Sequence, residues 1–169
     1  ISLGSFDVVI TNPPFGKNIN IDGEDLLKQY EFGHKWKFLK KENKWIREKL
    51  KDKEAPQTLF IERCLEYLKP GGKLGIVLPD GILGNDKLGY IRQHLLSNAK
   101  ILAIIDLPII TFMPNTSTKT SVIILEKTLN KPNLSYEIFM SIPKTCGHDR
   151  RGKEITDDDI VKVPLEFME

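Results

Sequence analysis

The fold of this chain is decided by the stretch Phe6-Asp7-Val8-Val9-Ile10-Thr11-Asn12-Pro13-Pro14-Phe15. Its apolar, β-branched run stops abruptly at a polar residue and two prolines, which predicts a buried parallel strand over residues 6–11. Pro13 and Pro14 end the hydrogen-bonded ladder because neither has an N–H to donate. Ligands of open α/β sheets bind outside the carboxyl ends of the strands, so Asn12 is expected to lie at a binding edge.

The two prolines also predict a rigid set of hydrogen-bond acceptors. Each proline holds its φ near about −65°, so the backbone carbonyls of Asn12 and Pro13 have little freedom. Together with the Asn12 side-chain oxygen and the ring of Phe15, these carbonyls suit a planar substrate that carries an amino group. The alternative is a strand followed by a proline-rich turn without chemistry.

Length and composition indicate one soluble globular domain. The chain has 169 residues, 40% of them hydrophobic and 28% charged, and its net charge of +2 is too small to indicate nucleic-acid binding by itself. No apolar run approaches the roughly 18 residues of a membrane span, and no secretory signal is visible. Cys64 and Cys146 are interpreted as free thiols in a reducing compartment, which predicts a cytoplasmic protein. The three histidines are His34, His94 and His148. They do not have the spacing of metal ligands, so no metal site is predicted.

The rest of the chain alternates helical and strand patterns. Residues 56–69 carry a continuous apolar stripe ended by Pro70-Gly71-Gly72, which predicts a helix leading into a strand over residues 73–78. A second helix is predicted from Asn85 or Asp86 to about Asn98. Further strands are predicted over residues 101–107, 120–126 and 136–142. The short connection over residues 108–119 favours an antiparallel hairpin at the edge that bears the site.

Residues 6–16 resemble motif IV of the amino-methyltransferases that use S-adenosylmethionine, most closely the adenine-specific DNA methyltransferases. Residues 57–81 are similar to motifs V and VI of that family, and residues 111–125 are similar to motif VIII. The turn over residues 146–153 resembles a segment that follows the catalytic domain in the M subunits of type I restriction-modification systems. The resemblance covers residues 6 to about 153 and is closest to those M subunits.

The resemblance departs from the family in one respect. The glycine-rich cofactor loop and the acidic residue that holds the cofactor ribose precede motif IV in the family, and neither is found in this sequence. The resemblance therefore implies the C-terminal half of a Rossmann-like α/β fold, with a mostly parallel sheet and an antiparallel hairpin strand at the edge. We expect residues 1–169 to be a single partial domain of a longer protein, binding S-adenosylmethionine weakly and lacking activity alone.

The resemblance also implies roles for six residues. The Asn12 side chain and the Pro13 carbonyl would hold the hydrogens of the adenine amino group, and Asn12 would also adjoin the cofactor. Pro14 would stiffen the turn, and Phe15 would stack on the base. Two further residues would line the base pocket, Asp80 beside the cofactor and Phe112 on the opposite face of a flipped base. Turn chemistry at Asp80 and coverage of the core edge by Phe112 remain open as alternatives.

Residues 16–54 are interpreted as a charged, aromatic insertion. Between residues 24 and 54, ten basic residues face seven acidic residues, a surplus of three that exceeds the surplus of the whole chain. Five aromatic residues are interleaved with them: Tyr30, Phe32, Trp36, Phe38 and Trp45. Such a segment suits a nucleic-acid strand, by charge and by base stacking. The equally open alternative is a partly helical insertion whose aromatic rings pack on the body of the domain.

The resemblance implies methyl transfer from S-adenosylmethionine to the exocyclic amino group of a flipped adenine in DNA, within a restriction-modification system. DNA, a specificity subunit and a restriction subunit are the implied partners. One alternative keeps the chemistry and changes the substrate to release-factor glutamine or ribosomal RNA guanine. Another is a non-catalytic module that binds nucleic acid or docks a subunit.

Overall fold

The computed structural model describes residues 2–14, 19–130 and 135–168, and its strands and helices alternate along most of the chain. The strands are β1 Phe6–Thr11, β2 Ile21–Asp22, β3 His34–Leu39, β4 Lys44–Leu50, β5 Lys53–Glu54, β6 Leu68–Pro79, β7 Ala99–Asp106, β8 Thr120–Lys127 and β9 Phe139–Ser141. The helices are α1 Glu24–Leu27, α2 Pro56–Tyr67, α3 Asp80–Gly84, α4 Gly89–Asn98 and α5 Val163–Met168, with 3-10 turns at Asp86–Leu88 and Ile160–Lys162. None of the described helices is long and apolar enough to cross a membrane.

Five strands form the central sheet in the order β1-β6-β8-β7-β9. The β1 and β6 strands are parallel, with Thr11 opposite Ile76, and β7 and β9 are also parallel. The β8 strand is antiparallel to both of its neighbours, so the other four strands share one direction. The expected α/β class, with a mostly parallel sheet, is confirmed.

The antiparallel strand does not lie at the edge of the sheet, where it was expected. β8 occupies the middle position of the five strands. The sheet ends beyond β7 with the three-residue β9. The reason is burial, because Thr120, Ser121, Ile123 and Leu125 are all almost fully covered and a strand of this kind needs a neighbour on each side. A short strand is the usual solution for an exposed edge.

The core lies on one face of the sheet, beneath α2 and α4. Both helices contribute to the same apolar cluster as β6 and β8, which means that the two crossovers lie on one side. The buried members from these four elements are Leu59, Ile61, Cys64, Leu65, Leu68, Leu74, Ile76, Leu78, Tyr90, Ile91, Leu95, Ile123 and Leu125. Burial raises the pKa of the Cys64 thiol to about 11, which agrees with a core residue rather than a nucleophile.

The other face of β1 is open in the described residues. Val8 and Ile10 are 55% and 83% exposed, although both belong to the apolar run of the first strand. The β1 strand also forms one edge of the sheet, so one side of its backbone has no strand partner among the described residues. The first strand is therefore present over the predicted residues, but it is not buried as its apolar run predicted, because it lies at an edge of the described sheet.

The described part of the insertion consists of two small antiparallel ribbons rather than helices. β2 pairs with β5 to close its base, and β3 pairs with β4 above it. The only helix there among the described residues is the four-residue α1, so the expectation of a partly helical segment is met by a single turn. Period-two alternation along Lys35-Trp36-Lys37-Phe38 explains the strand conformation.

Gly72 lies where β6 passes closest to β1, and a side chain there is expected to be destabilising. A Cβ at Gly72 would stand 2.9 Å from the carbonyl oxygens of both Lys69 and Phe6, which are backbone atoms that have little room to move. We expect Gly72→Ala to lower the free energy of unfolding by about 1–3 kcal/mol, measured by urea denaturation. Gly75→Ala is the control, since its Cβ would meet only Ile10 at 3.9 Å. Equal stability of the two variants would contradict the prediction.

Candidate active site

Three loops meet at the carboxyl edge of the sheet. They follow the ends of β1, β6 and β7, which run in the same direction and therefore end at the same edge. Asn12 follows β1, Asp80 follows β6, and Phe112 lies in the loop between β7 and β8. The fold thus brings the segments that carry three of the predicted site residues to one edge, although they are far apart in sequence.

The turn after β1 combines a buried proline with an exposed asparagine. Asn12 is exposed directly after Thr11, the last residue of the strand, and Pro14 is exposed as well. Pro13 lies between them and is fully buried, so its ring anchors the turn against the body of the domain. The prediction for Phe15 falls outside the described residues. Asn12 is therefore accessible from outside the domain, on a turn that Pro13 holds in place.

Asp80 joins the end of β6 to the start of β8. Its backbone N–H donates to the Lys119 carbonyl oxygen at 3.1 Å, and its carboxylate oxygen accepts a hydrogen bond from the Ser121 hydroxyl at 3.0 Å. Asp80 is also half-buried and is the first residue of α3. These contacts hold Asp80 between the end of β6 and the start of β8, and its place in a base or cofactor pocket stays a prediction.

The loop between β7 and β8 is ordered by local bonds and by a later turn of the chain. The Thr111 hydroxyl donates to the Pro108 carbonyl at 2.7 Å, and the Thr116 N–H donates to the Phe112 carbonyl at 3.0 Å. A ring nitrogen of His148 lies 3.2 Å from the Thr111 carbonyl oxygen, so the turn over residues 146–153 packs against this loop. Phe112 is half-buried within it.

The chemistry offered by the turn after β1 is that of neutral oxygen acceptors. An amide side chain and backbone carbonyls stabilise positive charge and accept hydrogen bonds, but they do not remove protons at neutral pH. Within residues 2–14, 19–130 and 135–168, no group of three or more His, Cys, Asp or Glu residues is arranged to bind a metal ion.

Sequence analysis missed Glu62, which holds the insertion on the body of the domain. Glu62 is 4% exposed, and its carboxylate accepts hydrogen bonds from the N–H groups of Glu31 at 2.7 Å and Phe32 at 2.9 Å. Burial raises the pKa of Glu62, while the two backbone hydrogen bonds oppose the rise. A glutamate between the apolar positions Ile61 and Leu65 of a helix was the available signal.

Tyr90 of α4 is the second residue that sequence analysis missed. Its ring stacks on Trp36 at 5.4 Å between centroids with an interplanar angle of 3°, and it meets Phe32 and Trp45 edge-on at 5.6 and 5.8 Å. Burial raises the pKa of Tyr90. Tyr30 packs on α2 as well, with its hydroxyl accepting a hydrogen bond from Arg63 at 3.1 Å. Four of the five aromatic residues of the insertion therefore pack on the body of the domain, which is the second of the two open interpretations.

The burial of His94 leads us to expect a lower free energy of unfolding in mild acid. Burial lowers its pKa, with a smaller opposing effect from Glu31. The unfolded chain takes up a proton near the ordinary value of 6.5, whereas the folded chain resists it, so stability is complete above pH 6.5 and falls as the pH drops toward the lowered value. Glu62 acts in the opposite direction because its pKa is raised.

The measurement is urea unfolding between about pH 7 and pH 5, comparing the unchanged chain with His94→Gln. The variant lacks the titrating imidazole and keeps Glu62, so the difference between the two pH profiles isolates His94. We expect the unchanged chain to lose more stability across this range than the variant. Parallel profiles would show that His94 does not carry the effect.

The family model described as N-6 DNA Methylase matches residues 2–169. The chain belongs to the N-6 DNA methylase family. The match spans the whole described chain, including the candidate active site and the insertion.

Two curated relatives of this N-6 DNA methylase chain are similar along most of its length. The type I restriction enzyme EcoEI methylase subunit of Escherichia coli is 27% identical over 72% of this chain and 21% of the relative. The type II methyltransferase M.XhoI of Xanthomonas vasicola is 26% identical over 83% of this chain and 25% of the relative. The chain thus spans about a quarter of the length of either relative.

A solved structure is similar to the N-6 DNA methylase chain in fold as well. It is a type I restriction-modification system methyltransferase subunit from Streptococcus thermophilus, which is 26% identical with a TM-score of 0.65. The alignment covers 98% of this chain and 32% of that structure. The fold described above is therefore similar to part of the fold of that methyltransferase subunit.

Proposed function

We propose that the protein transfers a methyl group from S-adenosylmethionine to the exocyclic amino group of adenine in DNA. The observation that carries the proposal is Asn12, exposed on a turn anchored by the buried Pro13 at the carboxyl edge of the sheet. Membership of the N-6 DNA methylase family supports the reaction type. We also propose a cytoplasmic location, because the enzyme needs access to DNA.

The proposed chemistry begins with a weak nucleophile. The amino lone pair of adenine is delocalised into the ring, and two fixed acceptors, the Asn12 side chain and the Pro13 carbonyl, would favour a more tetrahedral nitrogen. S-adenosylmethionine would supply its methyl group to this nitrogen and leave as the neutral thioether, and the methylated nitrogen would then lose a proton to solvent. The same oxygen dipoles stabilise the positive charge that grows on the nitrogen during transfer.

We assign two further roles on the same basis. Phe15 would stack on the base, where its ring face also favours the developing cation. Phe112 would cover the opposite face of the base, and Asp80 would border the pocket through its position at the end of β6. A base inside a duplex does not reach this edge, so the target adenine would be flipped out of the helix.

The neutral oxygens after β1 fit the positively charged sulfonium end of S-adenosylmethionine. When bound, this cofactor supplies the methyl group in electrophilic form, and Asn12 is the residue that we assign beside it. We further propose that residues 1–169 are the substrate-facing part of the catalytic domain and that the open edge of β1 pairs with another strand in the whole protein. The unpaired side of the β1 backbone supports this pairing. The exposed apolar side chains of Val8 and Ile10 support coverage of their face of the strand by another part of the whole protein.

Similarity to a type I methylase subunit supports assembly with other subunits. We propose that a specificity subunit and a restriction subunit are partners, with sequence recognition supplied by the former. Co-purification of the whole protein with these subunits tests the assembly.

The function is tested by supplying the whole protein with labelled S-adenosylmethionine and three acceptors: duplex DNA, ribosomal RNA and release factor. We expect label in DNA alone. Label in RNA or release factor would replace the DNA substrate by one of the alternative acceptors, and transfer to none would favour a non-catalytic docking module. For residues 1–169 alone, calorimetry is expected to show weak cofactor binding, and micromolar affinity would contradict the proposed division of the domain.

A further inference from the structure

The β3–β4 ribbon concentrates positive charge beyond anything else in the chain. Residues 34–50 contain seven basic and two acidic residues, a net charge of +5, whereas the whole chain carries +2. The formal charges of all the remaining residues therefore sum to −3. A ribbon of this charge on an otherwise slightly acidic chain is a local feature that the proposed chemistry does not explain.

The ribbon separates its aromatic residues from its lysines. Trp36 and Trp45 lie on the side that packs against Tyr90, and the Trp45 N–H donates to the Gln93 side chain at 3.3 Å. Lys35 and Lys37 alternate with Trp36 along β3, so they point to the opposite side, and both are exposed. The four-residue turn between the strands adds the exposed Lys40 and Lys41.

The four lysines are free for an outside partner. Two ion pairs involve basic residues of the ribbon, Lys44 with Glu42 and Arg47 with Glu31. Within the described residues, none of the four lysines at positions 35, 37, 40 and 41 forms an ion pair. The aromatic side packs closely on α4, since a Cβ at Gly89 would lie only 2.8 Å from the Trp45 indole nitrogen. The lysine side is therefore presented on a supported, rather than a loose, element.

We propose that the lysine side of this ribbon binds the phosphate backbone of duplex DNA. A two-stranded ribbon fits the major groove of DNA in width, and lysines supply point charges for phosphates. The ribbon rests on the first turns of α4, which follow the carboxyl end of β6, so it lies on the side of the domain that leads to the candidate active site. Such contacts position DNA without reading its sequence. The inference rests on the proposed DNA substrate and adds a surface to it.

The test uses the whole protein with four substitutions made together: Lys35→Gln, Lys37→Gln, Lys40→Gln and Lys41→Gln. The control removes the same charge from exposed lysines elsewhere: Lys69→Gln, Lys73→Gln, Lys144→Gln and Lys162→Gln. Fluorescence anisotropy then measures the affinity for a labelled duplex from about 50 to about 300 mM KCl. Thermal melting of both variants checks that the fold is retained.

For the ribbon variant we expect the slope of log K against log salt to flatten by about 0.9 for each lysine that contacts a phosphate, and the Kd to rise at least about tenfold. The control should keep the slope of the unchanged protein. Methyl transfer at saturating DNA should keep its kcat while KM rises. Equal slopes for the ribbon and control variants would overturn the inference. If the ribbon variant also lost a co-purifying acidic subunit, the lysines would be assigned to that protein partner and not to DNA.

These results separate the inference from the proposed function. If the unchanged protein methylates DNA but the ribbon variant binds duplex as the control does, the ribbon inference alone fails. If the ribbon variant shows the flattened slope while no DNA becomes methylated, the ribbon inference stands and the proposed function fails.

Discussion

Replacing Asn12 by alanine is expected to lower kcat for DNA methylation by about 100- to 1,000-fold. The substitution removes a fixed dipole that is assigned to the nitrogen on which charge develops, and the loss of one such group costs this much in enzymes that stabilise a charged transition state. Asn12 is exposed and follows the last strand residue, so its removal leaves no buried partner unsatisfied. Stability should therefore stay within about 0.5 kcal/mol of the unchanged protein.

The matched control is Asn130→Ala, an exposed asparagine in the loop after β8, at the opposite edge of the sheet. Steady-state kinetics with labelled S-adenosylmethionine should show normal kcat for the control. Asn12→Asp retains acceptor oxygens and is expected to keep more activity than Asn12→Ala. Full activity of Asn12→Ala would remove the asparagine from the proposed mechanism, whatever the acceptor proved to be.

Replacing Glu62 by alanine is expected to lower the free energy of unfolding by about 3 kcal/mol. The carboxylate is the hydrogen-bond acceptor for two backbone N–H groups, those of Glu31 and Phe32, and its loss leaves both without that partner next to a fully buried phenylalanine. Each buried donor without an acceptor costs about 1–3 kcal/mol, while removal of a carboxylate that is itself strained by burial offsets part of this.

Glu66→Ala is the control for this prediction, because Glu66 lies one turn further along α2, is more exposed, and pairs with Arg63 at the surface at 2.9 Å. Its effect should stay below about 1 kcal/mol. Hydrogen exchange gives a second measurement, in which the amides of Glu31 and Phe32 lose protection in Glu62→Ala alone. Unchanged protection of these amides would show that the insertion is held by its aromatic contacts without the carboxylate.

The alternating part of the fold was predictable because its signals are local. Two prolines follow the β-branched run of β1, and Pro70-Gly71-Gly72 follows the apolar stripe of α2. Such signals indicate where an element begins and ends. The structure agrees with these limits at β1 and to within two residues at the end of α2. The start of β6 was predicted less well, because the strand begins at Leu68, five residues early, and includes Pro70-Gly71-Gly72. The predicted cap at Asn85 is present, since its side chain accepts a hydrogen bond from the Lys87 N–H. It begins the 3-10 turn Asp86–Leu88, however, and α4 itself starts three to four residues later than predicted, at Gly89.

The place of β8 was not predictable from such signals. Its pairing with β7 follows from the short loop between them, but the choice of its other neighbour depends on where the β6-to-β7 crossover leaves a gap. That is a tertiary property, and the hint in the sequence was the continuous apolar run Val122-Ile123-Ile124-Leu125, which is typical of a strand inside a sheet rather than at its edge.

Sequence analysis left two interpretations of the insertion open because it did not separate the basic residues from the aromatic residues. Strand alternation places them on opposite sides of the ribbon, and the turn between the strands ends at Asn43, whose φ of 48° suits an asparagine. A period-two reading of Lys35-Trp36-Lys37-Phe38 separates the two groups without a structure. The partner of the buried rings, Tyr90, lies in a distant helix and is invisible to any local pattern.

The central claim is that Asn12 and its two prolines serve methyl transfer to an adenine amino group. The most direct measurement is to methylate duplex DNA with the whole protein and labelled S-adenosylmethionine, digest the DNA to nucleosides, and separate them by chromatography with mass detection. The account predicts label in N6-methyladenine and its loss with Asn12→Ala. Label in a methylated cytosine, or labelled adenine that persists in Asn12→Ala, would contradict it.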